Sequence, residues 1–187
     1  AVLWFSDLRD FTGLNERLPP AEVLELLNNY FQLVGDALSS HGGEILKFIG
    51  DGVMGYFPAE DALFLPMVTA AALGAARQLL DDTEAANEAR AAAGRELLRF
   101  GIGLHVGDVT FGNIGTEDRL DFTVIGAAVN RASRLEGLTK ALGVKVCASA
   151  EFNENCPQPM KSLGVHRLRG VPKPVEIFTL PDNGAAG

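Results

Sequence analysis

Two short apolar runs, Glu44 to Ile49 and Val53 to Phe57, are separated only by Gly50-Asp51-Gly52. A connection that short, with glycine on both sides of an acid, closes as a tight β-hairpin. The hairpin sets the frame for its neighbours. Before it, Ala1 to Phe5 is an apolar run that reads as a buried strand. Pro19-Pro20 opens a helix whose apolar residues Val23, Leu27, Tyr30, Val34 and Leu38 recur at spacings of three and four, and His41-Gly42-Gly43 stops it. After it, Ala62 to Leu80 reads as a helix, and Asp81 to Arg95 as a second helix or a mobile surface segment. Strands follow at Leu98 to Val106, Val109 to Ile114 and Leu120 to Ile125, the last two joined by a turn at Gly115 to Asp118. A helix is predicted over Ala127 to Leu142, then short strands at Lys145 to Ala148, Lys161 to Leu168 and Val175 to Leu180. The order β-α-β-β-α-β-β-α-β predicts an α+β fold, an antiparallel-rich sheet with helices on one face.

The 187 residues suit one domain over 1–187, with a small polar tail at 181–187. The chain begins inside a strand pattern and reads as a domain cut from a longer protein. Apolar residues make up 47% and charged residues 21%, an ordinary globular balance. The net charge of −8 argues against a nucleic-acid partner, which calls for a basic face. All the excess acid falls in residues 1–100, while 101–187 is neutral. Solubility explains this, and so does a cation site in the first half facing an anion site in the second. The apolar stretches fall short of the roughly 18–20 residues of a membrane span. Cys147 and Cys156 make no disulfide framework. A cytoplasmic setting without membrane contact is expected, although the longer protein need not share it.

Asp7 follows the first strand and Asp51 sits in the hairpin turn. They can meet if their strands are neighbours in one sheet. Two such carboxylates suit Mg²⁺ when substrate phosphates supply the remaining oxygen ligands; unrelated turn aspartates are the plainer reading of either one alone. Other chemistries fail on spacing. Asp7 and Asp10 are three apart, no Gly-Lys dipeptide offers a Walker loop, and Gly101, Gly103 and Gly107 do not space as a dinucleotide fingerprint. Three scattered histidines make no zinc site. In the second half Asn130 and Arg134 are four apart and share a helix face. Arg119 precedes that helix, and Arg167, Arg169 and Lys173 cluster around Gly170. Arginine's planar fork suits triphosphate oxygens.

Three segments, Phe5-Ser-Asp7-Leu-Arg-Asp-Phe11-Thr12, Lys47-Phe-Ile-Gly-Asp51-Gly and Phe122-Thr123-Val-Ile-Gly126 running on to Asn130-Arg-Ala-Ser-Arg134-Leu-Glu, together resemble the class III nucleotidyl cyclases. The resemblance spans about residues 2 to 180. It implies a ferredoxin-like βαββαβ core with extra C-terminal strands and an active site shared by two chains of a homodimer. It implies that Asp7, Asp51 and the Leu8 carbonyl hold two Mg²⁺ or Mn²⁺ ions, and that Phe11 and Thr12 offer backbone N–H groups to the phosphates. The partner chain would bring Lys47 and Thr123 to the adenine edge, Asn130 to the ribose and Arg134 to the α-phosphate. Arg119 resembles the family's triphosphate arginine, and a further phosphate ligand is either Arg169 or Lys173. Lys47 with Thr123 resembles the class IIIb subgroup, which implies ATP as substrate, cyclic AMP as product and bicarbonate as an activator. Lysine donates to a ring nitrogen and threonine accepts from the adenine amino group, whereas guanine presents an oxygen there. Ala127 departs from the pattern, since relatives often carry a polar residue after the glycine. The rivals are a guanylyl or diguanylate-type cyclase, which a carboxylate hairpin also fits, and a degenerate nucleotide-binding dimerisation domain.

Overall fold

The computed structural model describes residues 1–116 and 119–181. The expected tail therefore lies, apart from Pro181, outside the described residues. Strand β1 (Val2–Leu8) is followed by a short helix α1 (Phe11–Arg17) and the long α2 (Pro20–Ser40). The hairpin β2 (Glu44–Ile49) and β3 (Gly52–Phe57) leads through a 3-10 turn, Ala62–Phe64, into α3 (Leu65–Ala92) and β4 (Phe100–Val106). These strands lie in the order β2-β3-β1-β4 with every pair antiparallel, the βαββαβ arrangement expected from the sequence.

The second half adds a separate hairpin, β5 (Thr110–Thr116) with β6 (Arg119–Ile125), and helix α4 (Ala127–Leu142). Three more strands extend the main sheet to seven: β7 (Val146–Ser149) runs parallel to β4, then β9 (Val175–Thr179) and β8 (Lys161–His166) follow antiparallel. Helix α5 (Ala150–Asn155) links β7 to β8.

Helices cover both faces of the sheet, a departure from the one-face expectation. Strand residues alternate in direction. On β1, Val2, Trp4 and Leu8 join the main core with Leu26, Tyr30 and Val34 of α2 and Ala72, Leu73 and Ala76 of α3. Ser6 points the same way and accepts hydrogen bonds from Trp4 Nε1 at 3.0 Å and Tyr30 Oη at 2.8 Å, so both buried donors are paired. Leu3, on the opposite face, packs with Ala128 and Ala132 of α4. The apolar run that opens the chain is thus a strand buried on both sides.

Helix α3 is one continuous helix where two segments, or a helix and a mobile stretch, were expected. Leu79, Leu80, Thr83 and Arg90 keep one side of its polar half buried, and no proline or glycine interrupts it between Gly74 and Gly94. From Ala62 to Ala92 it is long and apolar enough, by length and composition, to cross a membrane, which the sequence reading did not anticipate. Ala72, Leu73, Ala75, Ala76 and Leu79 are fully buried in the main core, so the helix here serves as a core helix.

Helix α4 lies directly on β4 because β4 carries glycine at 101 and 103. A Cβ at Gly103 would stand 2.5 Å from the Glu136 backbone nitrogen and overlap the Ala132 carbonyl oxygen. Both obstacles are backbone and cannot rotate away. Gly103→Ala is expected to cost about 3 kcal/mol, the upper part of the overpacking range. Urea unfolding of the two proteins checks this; a loss under 1 kcal/mol would mean that α4 shifts freely.

Candidate active site

Asp7 is the penultimate residue of β1, in register with Gly52 of β3 on one side and Gly101 of β4 on the other. Asp51 directly precedes β3, so the hairpin turn delivers it to the same end of the sheet. The two carboxyl groups meet. Burial, and then Asp51 as hydrogen-bonding partner and as like charge, push the Asp7 carboxyl up to about 8, while a bond from the Leu8 backbone N–H opposes the shift. Oδ1 of Asp7 is buried without a hydrogen-bond partner. An unsatisfied buried oxygen costs about 1–3 kcal/mol. A divalent cation between the acids would relieve both the repulsion and the orphaned oxygen, so the residues fit such an ion. Among the described residues no group of three His, Cys, Asp or Glu forms a complete cage. Further oxygens would have to come from a substrate or from water.

Leu8 closes β1 opposite Phe100, with its side chain buried. Asp10 takes a left-handed backbone (φ 55°) and starts α1. The first helical bond there is donated by Leu14 N–H to Asp10 O, at 2.9 Å. The N–H groups of Phe11 and Thr12 are therefore among the free donors of a helix start.

The other expected residues lie on different elements. Lys47, half-buried, stands opposite Met54 just past a bulge in β2, and Thr123, half-buried, stands opposite Gly112 in the β5–β6 hairpin. Strand β6 approaches β2. Asn130 is exposed on α4, and Arg134 one turn on is half-buried, its guanidinium against Gly170. Arg169 and Lys173 are both exposed in the turn between β8 and β9. Arg134 therefore lies against the sequence neighbour of Arg169, while the geometry leaves the choice between Arg169 and Lys173 open. Arg119 opens β6, and its side chain lies outside the described part.

Sequence reasoning missed Arg9 and Glu136. The Arg9 guanidinium reaches Glu136 Oε1 at 3.7 Å and donates to Thr139 Oγ1 at 2.6 Å. Burial, with a smaller contribution from Asp51, raises the Glu136 carboxyl to about 7 against the pull of Arg9. The available signal was the pair Gly101 and Gly103, which marks a close approach inside a strand.

These shifts give the protein a pH signature. Folded Asp7 and Glu136 hold protons that the unfolded chain releases near pH 4, so stability falls as pH rises towards 8. Burial lowers His105 to about 4, so its opposing effect is confined to pH below about 6.5. Thermal melts in chelator should therefore drop between pH 6.5 and 8.5, and Asp7→Asn should flatten the drop. A melting temperature that rises over that window in wild type would contradict the buried, repelling pair.

The Adenylate and Guanylate cyclase catalytic domain family matches residues 1–180. Adenylate cyclase 1 of Rhizobium meliloti is 34% identical over 178 residues, 93% of this chain and 26% of the relative. The adenylate cyclase of Anabaena cylindrica is 36% identical over 182 residues, 94% of this chain and 34% of the relative. The chain thus spans about a quarter to a third of the length of these relatives. The solved structure of a bacterial light-regulated adenylyl cyclase superposes with a TM-score of 0.84 at 33% identity, covering 97% of this chain and 90% of that one. A family match over nearly the whole chain, joined to converging acids at the end of a β2-β3-β1-β4 sheet, places this chain in the class III nucleotidyl cyclase catalytic domain family.

Proposed function

We propose that this chain converts ATP to 3′,5′-cyclic AMP and pyrophosphate at sites shared between two copies of itself. The observation that carries the reading is the meeting of Asp7 and Asp51 around a buried oxygen without a partner. The two similar adenylate cyclases support the activity. Two divalent ions held there by Asp7, Asp51 and the Leu8 carbonyl would supply charge neutralisation and a more acidic 3′-hydroxyl.

The chain's own residues do the rest. The 3′-oxygen forms a bond to the α-phosphorus, the bond from that phosphorus to the β-phosphate bridge breaks, and the hydroxyl proton passes to solvent as pyrophosphate leaves. Phe11 and Thr12 N–H groups and Arg119 hold the leaving phosphates, with Arg169 or Lys173 as a further cation. Asn130 orients the ribose, and Arg134 stabilises charge building on the α-phosphate. No histidine is needed as a base. His41 is engaged with Ala37 O, His105 with Ser149 Oγ and His166 with Leu163 O. Lys47 and Thr123 read the adenine edge. ATP as substrate fits a cytoplasmic setting, and the class IIIb likeness of this pair further implies bicarbonate as an activator.

What one chain leaves uncovered supports dimerisation. Phe48 and Ile49 on β2, Ile114 on β5 and Ile125 on β6 are each about half exposed. These strands also carry Lys47 and Thr123. Apolar surface of this kind marks an interface. A two-fold axis would set the acids of one chain against Asn130 and Arg134 of the other, twice over.

Two outcomes test this. Asp51→Ala and Arg134→Ala should each be nearly inactive alone. Mixed after random exchange, half the dimers are hybrids with one intact site of two, so roughly a quarter of wild-type activity should return. Association in a tag pull-down without recovered activity would refute the shared site. Separately, Lys47→Glu with Thr123→Cys should lower ATP turnover and shift preference towards GTP. An unchanged ATP-to-GTP ratio would remove both residues from base recognition.

A further inference from the structure

That reading leaves Arg9, Gly101, Glu136 and Thr139 without a role. They meet at one point. A Cβ at Gly101 would lie 2.6 Å from Glu136 Oε1 and 2.9 Å from Arg9 Nη2, and would overlap Thr139 Oγ1. Gly101 is the residue opposite Asp7 in the β1–β4 register. The cluster is therefore the immediate neighbour of the metal acids. Arg9 is fixed at both ends. Its backbone N–H donates to Arg99 O at 2.7 Å, and its guanidinium donates to Thr139 Oγ1 at 2.6 Å and to Val144 O at 3.4 Å, beside Glu136.

We infer that Arg9 and Glu136 are positioning residues that clamp α4 to the end of β1 that carries Asp7. The inference rests on Asp7 and Asp51 binding metal. Arg9 lies two residues after Asp7, and Glu136 two residues after Arg134. One side-chain contact thus ties the acid of one active site to the arginine that serves the other site of the dimer. Each protomer presents both groups as one rigid unit. The fork of an arginine is required, since it engages a carboxylate, a hydroxyl and a carbonyl together, and a lysine ammonium cannot span all three. Glu136 is buried, so without Arg9 it would be an isolated buried acid. Misplacing a reacting group by about 1 Å can cost about 100-fold in rate.

The test uses Arg9→Lys, Thr139→Val and their combination. Thr139→Val changes no charge, which separates positioning from the plain electrostatic effect of Glu136 on a cation. Three readouts are taken on the whole chain: Mn²⁺ binding by electron paramagnetic resonance without nucleotide, kcat and KM for ATP, and thermal unfolding. Each variant should still unfold cooperatively, bind Mn²⁺ several-fold more weakly and lose about 10-fold or more in kcat with little change in KM. The double variant should be no worse than Arg9→Lys, because both changes act through one guanidinium. Folded variants with wild-type Mn²⁺ affinity and kcat would overturn the inference, as would losses that only follow the unfolded fraction. If wild type binds Mn²⁺ but makes no cyclic AMP, the proposed function fails and the Mn²⁺ measurements alone decide the clamp. If wild type binds no Mn²⁺, both fall.

Discussion

The backbone of α4 rests on the backbone of β4, and this contact sets where Arg9, Glu136 and Thr139 meet beside Asp7. A helix normally stands off a sheet by the length of two side chains. Here Gly101 and Gly103 remove one of those layers, and the Ala132 carbonyl and Glu136 nitrogen occupy the space. Because β4 pairs with β1 in a register that sets Gly101 against Asp7, the close approach occurs beside Asp7. Arg9 then needs to bridge only a short gap to reach Glu136 and Thr139. Widening that gap by a methyl group would disturb core packing, the buried ion pair and the acids together.

The price of this arrangement is electrostatic. Asp7, Asp51 and Glu136 crowd three carboxyl groups at one end of the sheet, with Arg9 as the cation drawn among them. Protein interiors tolerate such groups when they are paired, protonated or bound to metal. Glu136 has Arg9. Asp7 has a like-charged neighbour and an oxygen with no partner. That asymmetry separates an acid held by an ion pair from an acid with one oxygen left unpartnered.

Regular elements followed their sequence signals closely where local chemistry decides them. The hairpin around Gly50-Asp51-Gly52 formed, and α4 runs from Ala127 to Leu142 as expected, with Gly143 as its C-cap. Helix α1 went unseen because its cue is a left-handed Asp10, a conformation the residue type permits but does not announce. Helix α5 had a cue that was passed over: Ser149 caps it by accepting from the Phe152 N–H, with Glu151 in the first turn. The continuous α3 defeated the local reading because Thr83 and Arg90 are buried by tertiary contact and carry no apolar signature of their own.

The sequence by itself determined the order of the strands and of helices α2 and α4, the turn that presents Asp51 and the motif set that marks the family, since each depends on residues close together in the chain. Only the tertiary structure decided which face each helix covers, that Asp7 and Asp51 touch, that Arg134 lies against Gly170 and that Arg9 grips Glu136. Those contacts join residues about 36 to 130 positions apart, from Arg134 and Gly170 to Arg9 and Thr139. No local preference encodes such distances. They come from strand register and from two glycines whose missing side chains become informative only once a helix is found lying on them.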